Sequence, residues 1–171
     1  VESAGKKVFP DFHTMWHFDD KVGQKYLLEA IGAPLAPSWV SYDKKQAIEW
    51  TGTADYPLVF KLRGGAGSAN VRLVKTRAQA IRLINKAFGR GFSPYSAWGS
   101  LNERVRKYRL GKTTLFDVVK GFARFVYPPK YSLIAGRERG YVYFQQFIPN
   151  NDHDIRVIVI GDKAFAIKRM V

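Results

Sequence analysis

Apolar positions along the chain recur in two periods, and the switches between them divide it into elements. After Asp19 and Asp20, either of which can cap a helix, Val22, Leu27, Leu28 and Ile31 recur at helical spacing until Gly32 and Pro34 stop the run. Pro37 to Val40 reads as a short extended piece and Lys44 to Trp50 as a short helix. Tyr56 to Lys61 and Val71 to Thr76 are apolar, β-branched runs that read as strands. Arg77 to Phe88 returns to helical spacing through Ala80, Ile81, Ile84, Ala87 and Phe88, and Gly89 and Gly91 end it. Leu101 to Leu110 predicts another helix. Thr114-Leu-Phe-Asp117 is a capping box opening a further one, with Leu115, Val118, Val119, Phe122 and Val126 inward, and Pro128 and Pro129 stop it. Tyr141 to Ile148 reads as a strand, Pro149 to His153 as a turn and Asp154 to Ile160 as a strand. Gly161-Asp162 then turns into a last strand from Ala164. Helices alternating with antiparallel hairpins make the fold α+β.

The stretch between the first two strands is the most unusual in composition: Arg63-Gly64-Gly65-Ala66-Gly67-Ser68-Ala69-Asn70, with Lys61 just upstream. Small residues let successive backbone N–H groups turn inward around an anion, and a nearby lysine adds a point charge. An ordinary Gly-rich hairpin turn has the same composition. A P-loop is excluded because no Lys follows Gly67. A Rossmann turn is excluded because Asn70 stands where its last glycine belongs and the chain continues as strand. A protein-kinase loop carries its lysine downstream, and the chain has no His-Arg-Asp or Asp-Phe-Gly. What remains is a strand–flap–strand cover with its lysine upstream.

Composition narrows the partners. With 171 residues, 46% hydrophobic and 25% charged, the chain can bury a real core, and no apolar run approaches the roughly 20 residues of a membrane span. Cysteine is absent, which excludes disulfides, zinc–thiolate sites and thiol nucleophiles. Nothing resembles a signal peptide, which predicts a cytoplasmic protein without membrane partners. The formal net charge of +14 implies an anionic partner. Eleven Lys/Arg against Glu103, Asp117 and Glu138 between Arg90 and Arg139 put +8 of it in one segment.

That segment interleaves its basic residues with Tyr95, Trp98, Tyr108, Phe125, Tyr127 and Tyr131, a pattern that suits stacking on a nucleic-acid strand. Most of these aromatics fall where a helical pair needs a core, so a helical insertion with a solvated basic face, turned toward an acidic substrate, is favoured over nucleic acid. Residues 1–18, with Phe9, Phe12, Trp16 and Phe18, read as an irregular segment packed on the body. His13 and His17 are spaced by one helical turn but lack a zincin glutamate, and no metal ligands are assigned. Lys21, in the first turn of its helix, gains nothing from the helix dipole and suits either solvent or a bound phosphate. Asp154 and Arg156 share a strand face, as an ion pair or with Asp154 accepting from a diol. The chain opens on Val1 without an initiator Met and closes at Val171 inside an apolar run, which predicts a piece of a longer protein.

Taken in order, Asp20-Lys21 opening a helix that ends Gly32-Ala-Pro34, Tyr56-Pro-Leu-Val-Phe-Lys61, the Gly64 to Ser68 loop, a helix, Gln145-Gln-Phe-Ile-Pro149 and Asp154-Ile-Arg156 resemble the ATP-grasp superfamily. Within it they are similar to the branch of carboxylate–amine ligases typified by the ribosomal-protein S6 glutamate ligases, over residues 18–169. The resemblance implies an incomplete ATP-grasp fold with antiparallel sheets, helices and a basic helical insertion. Residues 1–50 would lead into it, 51–91 form the small subdomain with the flap, 92–140 the insertion, and 141–171 the start of the large subdomain. It implies that Lys61 and Lys21 contact the ATP phosphates and that Gly64, Gly65, Ala66, Gly67 and Ser68 close over them. Gln145, Gln146, Phe147 and Ile148 would run beside the adenine, with backbone groups of Gln146 and Ile148 reading its edge. Asp154 would take the ribose hydroxyls, and Lys168 or Arg169 would point at the phosphates or the acyl group.

Gln146 stands where the family often has Glu, which leaves only the backbone role there. The family's Mg2+ ligands, an acidic residue and a Glu-x-Asn pair, would lie beyond Val171, as would a downstream arginine. The implied reaction is phosphorylation of a carboxylate by ATP and attack of an amine on the acylphosphate; the chain by itself is expected to bind ATP weakly and not to turn over. The rival readings are a basic nucleic-acid-binding domain and a phosphotransferase on the same nucleotide cradle.

Overall fold

The computed structural model describes residues 1–64, 70–93, 97–111, 113–126 and 136–170. A four-stranded antiparallel sheet is its centre. It is built from β1 (Ser38–Ser41), β2 (Leu58–Lys61), β3 (Val71–Val74) and β4 (Val142–Gln146), in the order β1-β4-β2-β3. The latest of these strands in sequence is therefore central, and it ties the segments before and after residues 92–140 into one sheet.

Alternation along the strands divides the sheet into two faces. Leu58 and Phe60 of β2, Val74 of β3 and Val142 and Phe144 of β4 are buried on one face, against α3 (Lys44–Trp50) and α4 (Arg77–Ala87). From those helices Ala47, Ala80, Ile84 and Ala87 fill the space, each at helical spacing on one stripe. Phe60 meets Phe92 at 5.2 Å with the rings tilted and Phe144 edge-on at 5.4 Å, so the core is aromatic at its middle. Each helix starts on a side-chain cap: Asp43 accepts from Gln46 N–H and Thr76 from Gln79 N–H.

The other face is covered in part by α2 (Lys21–Ala30), whose Val22 packs with Tyr141, Tyr143 and Val40. Asp20 caps α2 by accepting from the N–H groups of Val22 and Gly23, both at 2.9 Å. Here the predicted inward set differs: Ile31 is exposed, and the second buried residue of the helix is Lys25, which reaches Glu29 at 2.6 Å. A lysine stem covers apolar surface while its ammonium stays paired, which hydrophobic periodicity does not register.

Within 92–140, α5 (Ala97–Arg109) packs against α6 (Leu115–Val126), and the reciprocal capping box of Thr114 and Asp117 is formed. Leu115 and Val119, expected inward, are exposed; among the described side chains, the close contact to α5 is that of Gly121 with Leu101 and Arg104. Tyr95, Tyr127, Tyr131, Pro128 and Pro129 lie outside the described residues. The aromatics of 1–18 are also more exposed than expected: Phe9, Phe12, Trp16 and Phe18 all present surface, around the single turn α1 (Phe12–Met15). β5 (His153–Ile160) and β6 (Lys163–Met170) form a separate antiparallel hairpin. No helix among the described residues is long and apolar enough to cross a membrane.

Candidate functional site

Register fixes what shares the face beneath α2. Lys61 stands opposite Tyr143, Val59 opposite Gln145, and Gln145 opposite Ser38. These side chains therefore project together, away from the apolar core. Lys61 Nζ donates to Gln145 Oε1. Gln145 Nε2 donates at 3.0 Å to Ser38 Oγ, which also accepts from the Tyr143 hydroxyl at 3.1 Å and itself donates to the Ala36 carbonyl at 2.8 Å. The amide of Gln145 is thus locked from one side and orients Lys61 from the other.

Lys21 belongs to the same group. Its N–H donates at 3.0 Å to the carbonyl of Arg63, two residues beyond Lys61. Burial lowers the Lys61 pKa below the ordinary lysine value, and the positive charge of Lys21 lowers it further. Two like charges brought this close favour a bound polyanion. Lys21 and Lys61, separated by forty residues in sequence, are the pair that sequence reading nominated for phosphate.

At the end of β4 the ladder has a deliberate gap. Gln146 N–H donates to the Pro37 carbonyl at 2.8 Å. In an antiparallel pair of this kind the opposite residue returns the bond, but proline has no N–H, so β1 leaves the Gln146 carbonyl to other donors. Phe147 and Ile148 follow as exposed residues beside Asn150 to Asp152, lining an open depression. The expectation that backbone groups of Gln146 are available therefore narrows to its carbonyl, since its N–H is used in the sheet.

On the hairpin, Asp154 faces Arg169 in register, and the guanidinium grips both carboxylate oxygens, Nε to Oδ1 at 2.8 Å and Nη2 to Oδ2 at 2.6 Å. This hydrogen bonding holds Asp154 below the usual carboxylate range. The ion-pair alternative considered for Asp154 is realised with Arg169, not with Arg156. The cross-strand partner is directly opposite, whereas the i+2 neighbour on the same strand is further away. Of the two candidates on the last strand, Arg169 shares the Asp154 face, and Lys168, opposite Ile155, is on the other.

Gly64 is described, while Gly65, Ala66, Gly67 and Ser68 lie outside the described residues. No group of three or more His, Cys, Asp or Glu that could hold a metal occurs among the described residues. Ser38 and Tyr143 were not singled out from sequence. Strand alternation around Gln145 carried a signal for Tyr143, while Ser38 became visible only through the β1–β4 register.

The antiparallel sheet carries α3 and α4 on one face and α2, with Lys61 and Gln145, on the other, and the β2–β3 hairpin lies at its edge. The solved structure of phosphoribosylamine–glycine ligase from Thermotoga maritima superimposes on 86% of the chain with a TM-score of 0.50 at 16% identity, using 27% of its own length. Among curated proteins, the alpha-aminoadipate–LysW ligase LysX of Saccharolobus solfataricus is 22% identical over 163 residues, 95% of this chain. The chain spans 43% of the length of that relative. No protein-family model matches the chain. The two similarities, at low identity, show a relationship to the ATP-grasp ligases and a fold that is part of theirs.

Proposed function

We propose that the chain is the nucleotide-binding part of an ATP-dependent carboxylate–amine ligase. The observation that carries this reading is the convergence of Lys21 and Lys61 with Gln145 on one sheet face, beside the end of β4. The lysines would take the triphosphate, the Gly64 to Ser68 loop would cover it, and the Gln146 carbonyl left by Pro37 would accept from the adenine amino group while Phe147 lends apolar surface. Asp154 would accept from the ribose diol, and Arg169, rather than Lys168, would stand beside it.

Such a site serves a reaction in which a substrate carboxylate oxygen attacks the γ-phosphorus, ADP leaves, and an amine then displaces phosphate from the acylphosphate to give an amide. What the protein contributes is charge neutralisation around the transferring phosphoryl group by pre-placed cations. The last turn of α5, with Arg106, Lys107 and Arg109, suits an acidic acceptor or donor.

The test is a pair of titrations, ATP and a short single-stranded oligonucleotide, each at two salt concentrations. Saturable ATP binding with weak, steeply salt-dependent oligonucleotide binding supports the ligase reading; tight oligonucleotide binding with no response to ATP sinks it. Product analysis on the complete protein then separates a ligase, giving ADP and an amide, from a phosphotransferase, giving ADP and a phosphate ester.

A further inference from the structure

The segment 92–140 is stapled at its root. Phe92 and Glu138 exchange both backbone hydrogen bonds, at 2.8 and 2.9 Å, and Arg137 Nη2 donates at 3.0 Å to the Gly91 carbonyl. The approach is close enough that a Cβ on Gly91, which has φ +68°, would sit 2.6 Å from the Glu138 carbonyl oxygen. The backbone of Glu138 is therefore fixed, and its side chain points back into the small sheet.

There the carboxylate accepts from the Arg63 N–H at 2.9 Å and from the Tyr141 hydroxyl, which itself accepts from the same N–H at 2.6 Å. Arg63 in turn is the residue that holds α2. Its carbonyl receives the Lys21 N–H at 3.0 Å, its Nε lies 3.4 Å from the capping carboxylate of α2, Asp20, and its guanidinium rests over the Tyr141 ring at 5.3 Å. The path from Glu138 to the lysine pair is one residue long. The Asp20 and Tyr141 contacts hold the Arg63 side chain, whereas Glu138 and Tyr141 Oη hold its N–H and so set the direction of the Lys61–Arg63 backbone.

We propose that Glu138 is a positioning residue for the Lys21–Lys61 pair, acting through the Arg63 backbone, and that it makes the root of the basic 92–140 segment part of the phosphate site. The proposal rests on the reading of the two lysines as phosphate ligands.

The experiment compares Glu138→Gln, which keeps an acceptor oxygen of the same reach, with Glu138→Leu, which keeps only the volume, using ATP as the probe in calorimetric titration. Glu138→Gln is expected within about twofold of the parent and Glu138→Leu about fivefold to tenfold weaker, the effect of losing one hydrogen bond that pre-orders the site. In a Lys21→Ala, Lys61→Ala background the Glu138→Leu change should cost less than about twofold, because a residue that acts through others is silent once both of them are gone. Losses that multiply, or Glu138→Leu binding ATP like the parent, overturn the proposal. If Glu138→Leu does not fold, Glu138→Ala takes its place in the same comparison. Amide hydrogen exchange at Lys21 and Arg63 provides a nucleotide-free arm. Faster exchange at both in Glu138→Leu but not in Glu138→Gln supports the linkage even should the parent fail to bind ATP, which would overturn the nucleotide reading alone, and unchanged exchange overturns the linkage itself.

Discussion

Lys61 and Gln145 stand on neighbouring strands, on the face of the sheet turned away from the core, and the lysine ammonium donates to the glutamine amide oxygen. The amide compensates only part of what burial costs the charge, and Lys21 adds repulsion, so the Lys61 pKa lies below the ordinary 10.5. A bound triphosphate favours the charged form and raises that pKa again. ATP affinity should therefore be full below the Lys61 pKa of the free protein and fall as pH rises through it, short of the ordinary lysine range. The stability of the free protein responds in the opposite sense. The unfolded chain binds the proton more tightly, so the cost of burying the charged lysine is relieved as pH rises through the folded-state pKa. Calorimetric ATP titrations from neutral to alkaline pH, repeated on Lys61→Met, check this; the alkaline loss should vanish in the variant.

Phe60 and Lys61 are adjacent on β2 and point to opposite faces, one into the core beside Phe92 and Phe144, the other into the candidate site. Alanine at Phe60 should cost about 3–5 kcal/mol of stability, because the cavity is enclosed on all sides. Alanine at Lys61 should leave the melting temperature within a few degrees of the parent. It should weaken ATP binding by about tenfold to a hundredfold, the range for a lost hydrogen bond to a charged group. Chemical denaturation and ATP titration on the two variants read both axes, and a Lys61→Ala protein that binds ATP normally would remove the lysine from the site.

Pro37 withholds the N–H that would otherwise occupy the Gln146 carbonyl. Pro37→Ala restores it, completing the β1–β4 ladder at the cost of a competitor for adenine. Expected is a loss of ATP affinity of about twofold to tenfold, the net worth of one neutral hydrogen bond, with affinity for inorganic tripolyphosphate unchanged because the lysines are untouched. Equal losses for both ligands would show that the substitution acts on the sheet and not on base recognition.

Local signals made much of this legible from sequence. Asp20 caps the helix that follows it, the Thr114–Asp117 box opens α6, and Arg77–Ala87 keeps its helical spacing up to the stop at Phe88 and Gly89. The Lys21–Lys61 pairing was reachable only through resemblance, since no periodicity links positions forty residues apart. What stayed hidden is set by register and by the return of the chain after residue 140. The insertion of β4 between β1 and β2 brings Ser38 onto Gln145, and the Phe92–Glu138 bridge carries a carboxylate to Arg63. Leu115, Val119 and Ile31 misled for the converse reason: helical spacing says which residues share a stripe, not whether anything covers it.

Asp154 offers the last test, because one carboxylate is asked to serve two partners. Arg169 uses both oxygens, yet each retains a lone pair, so a ribose diol can be accepted without breaking the pair. The guanidinium also keeps the carboxylate ionised well into acid. If Asp154 reads the ribose, the parent should prefer ATP over 2′-deoxy-ATP by about threefold to tenfold, and Asp154→Asn should abolish the preference. Arg169→Ala should keep the preference at neutral pH but lose it at a higher pH on acidification than the parent, since without the guanidinium the carboxyl returns toward its ordinary pKa of 3.8. Competition titrations of the two nucleotides across an acidic series measure this directly. A parent that treats the two alike leaves Asp154 and Arg169 as a cross-strand ion pair of the hairpin and nothing more.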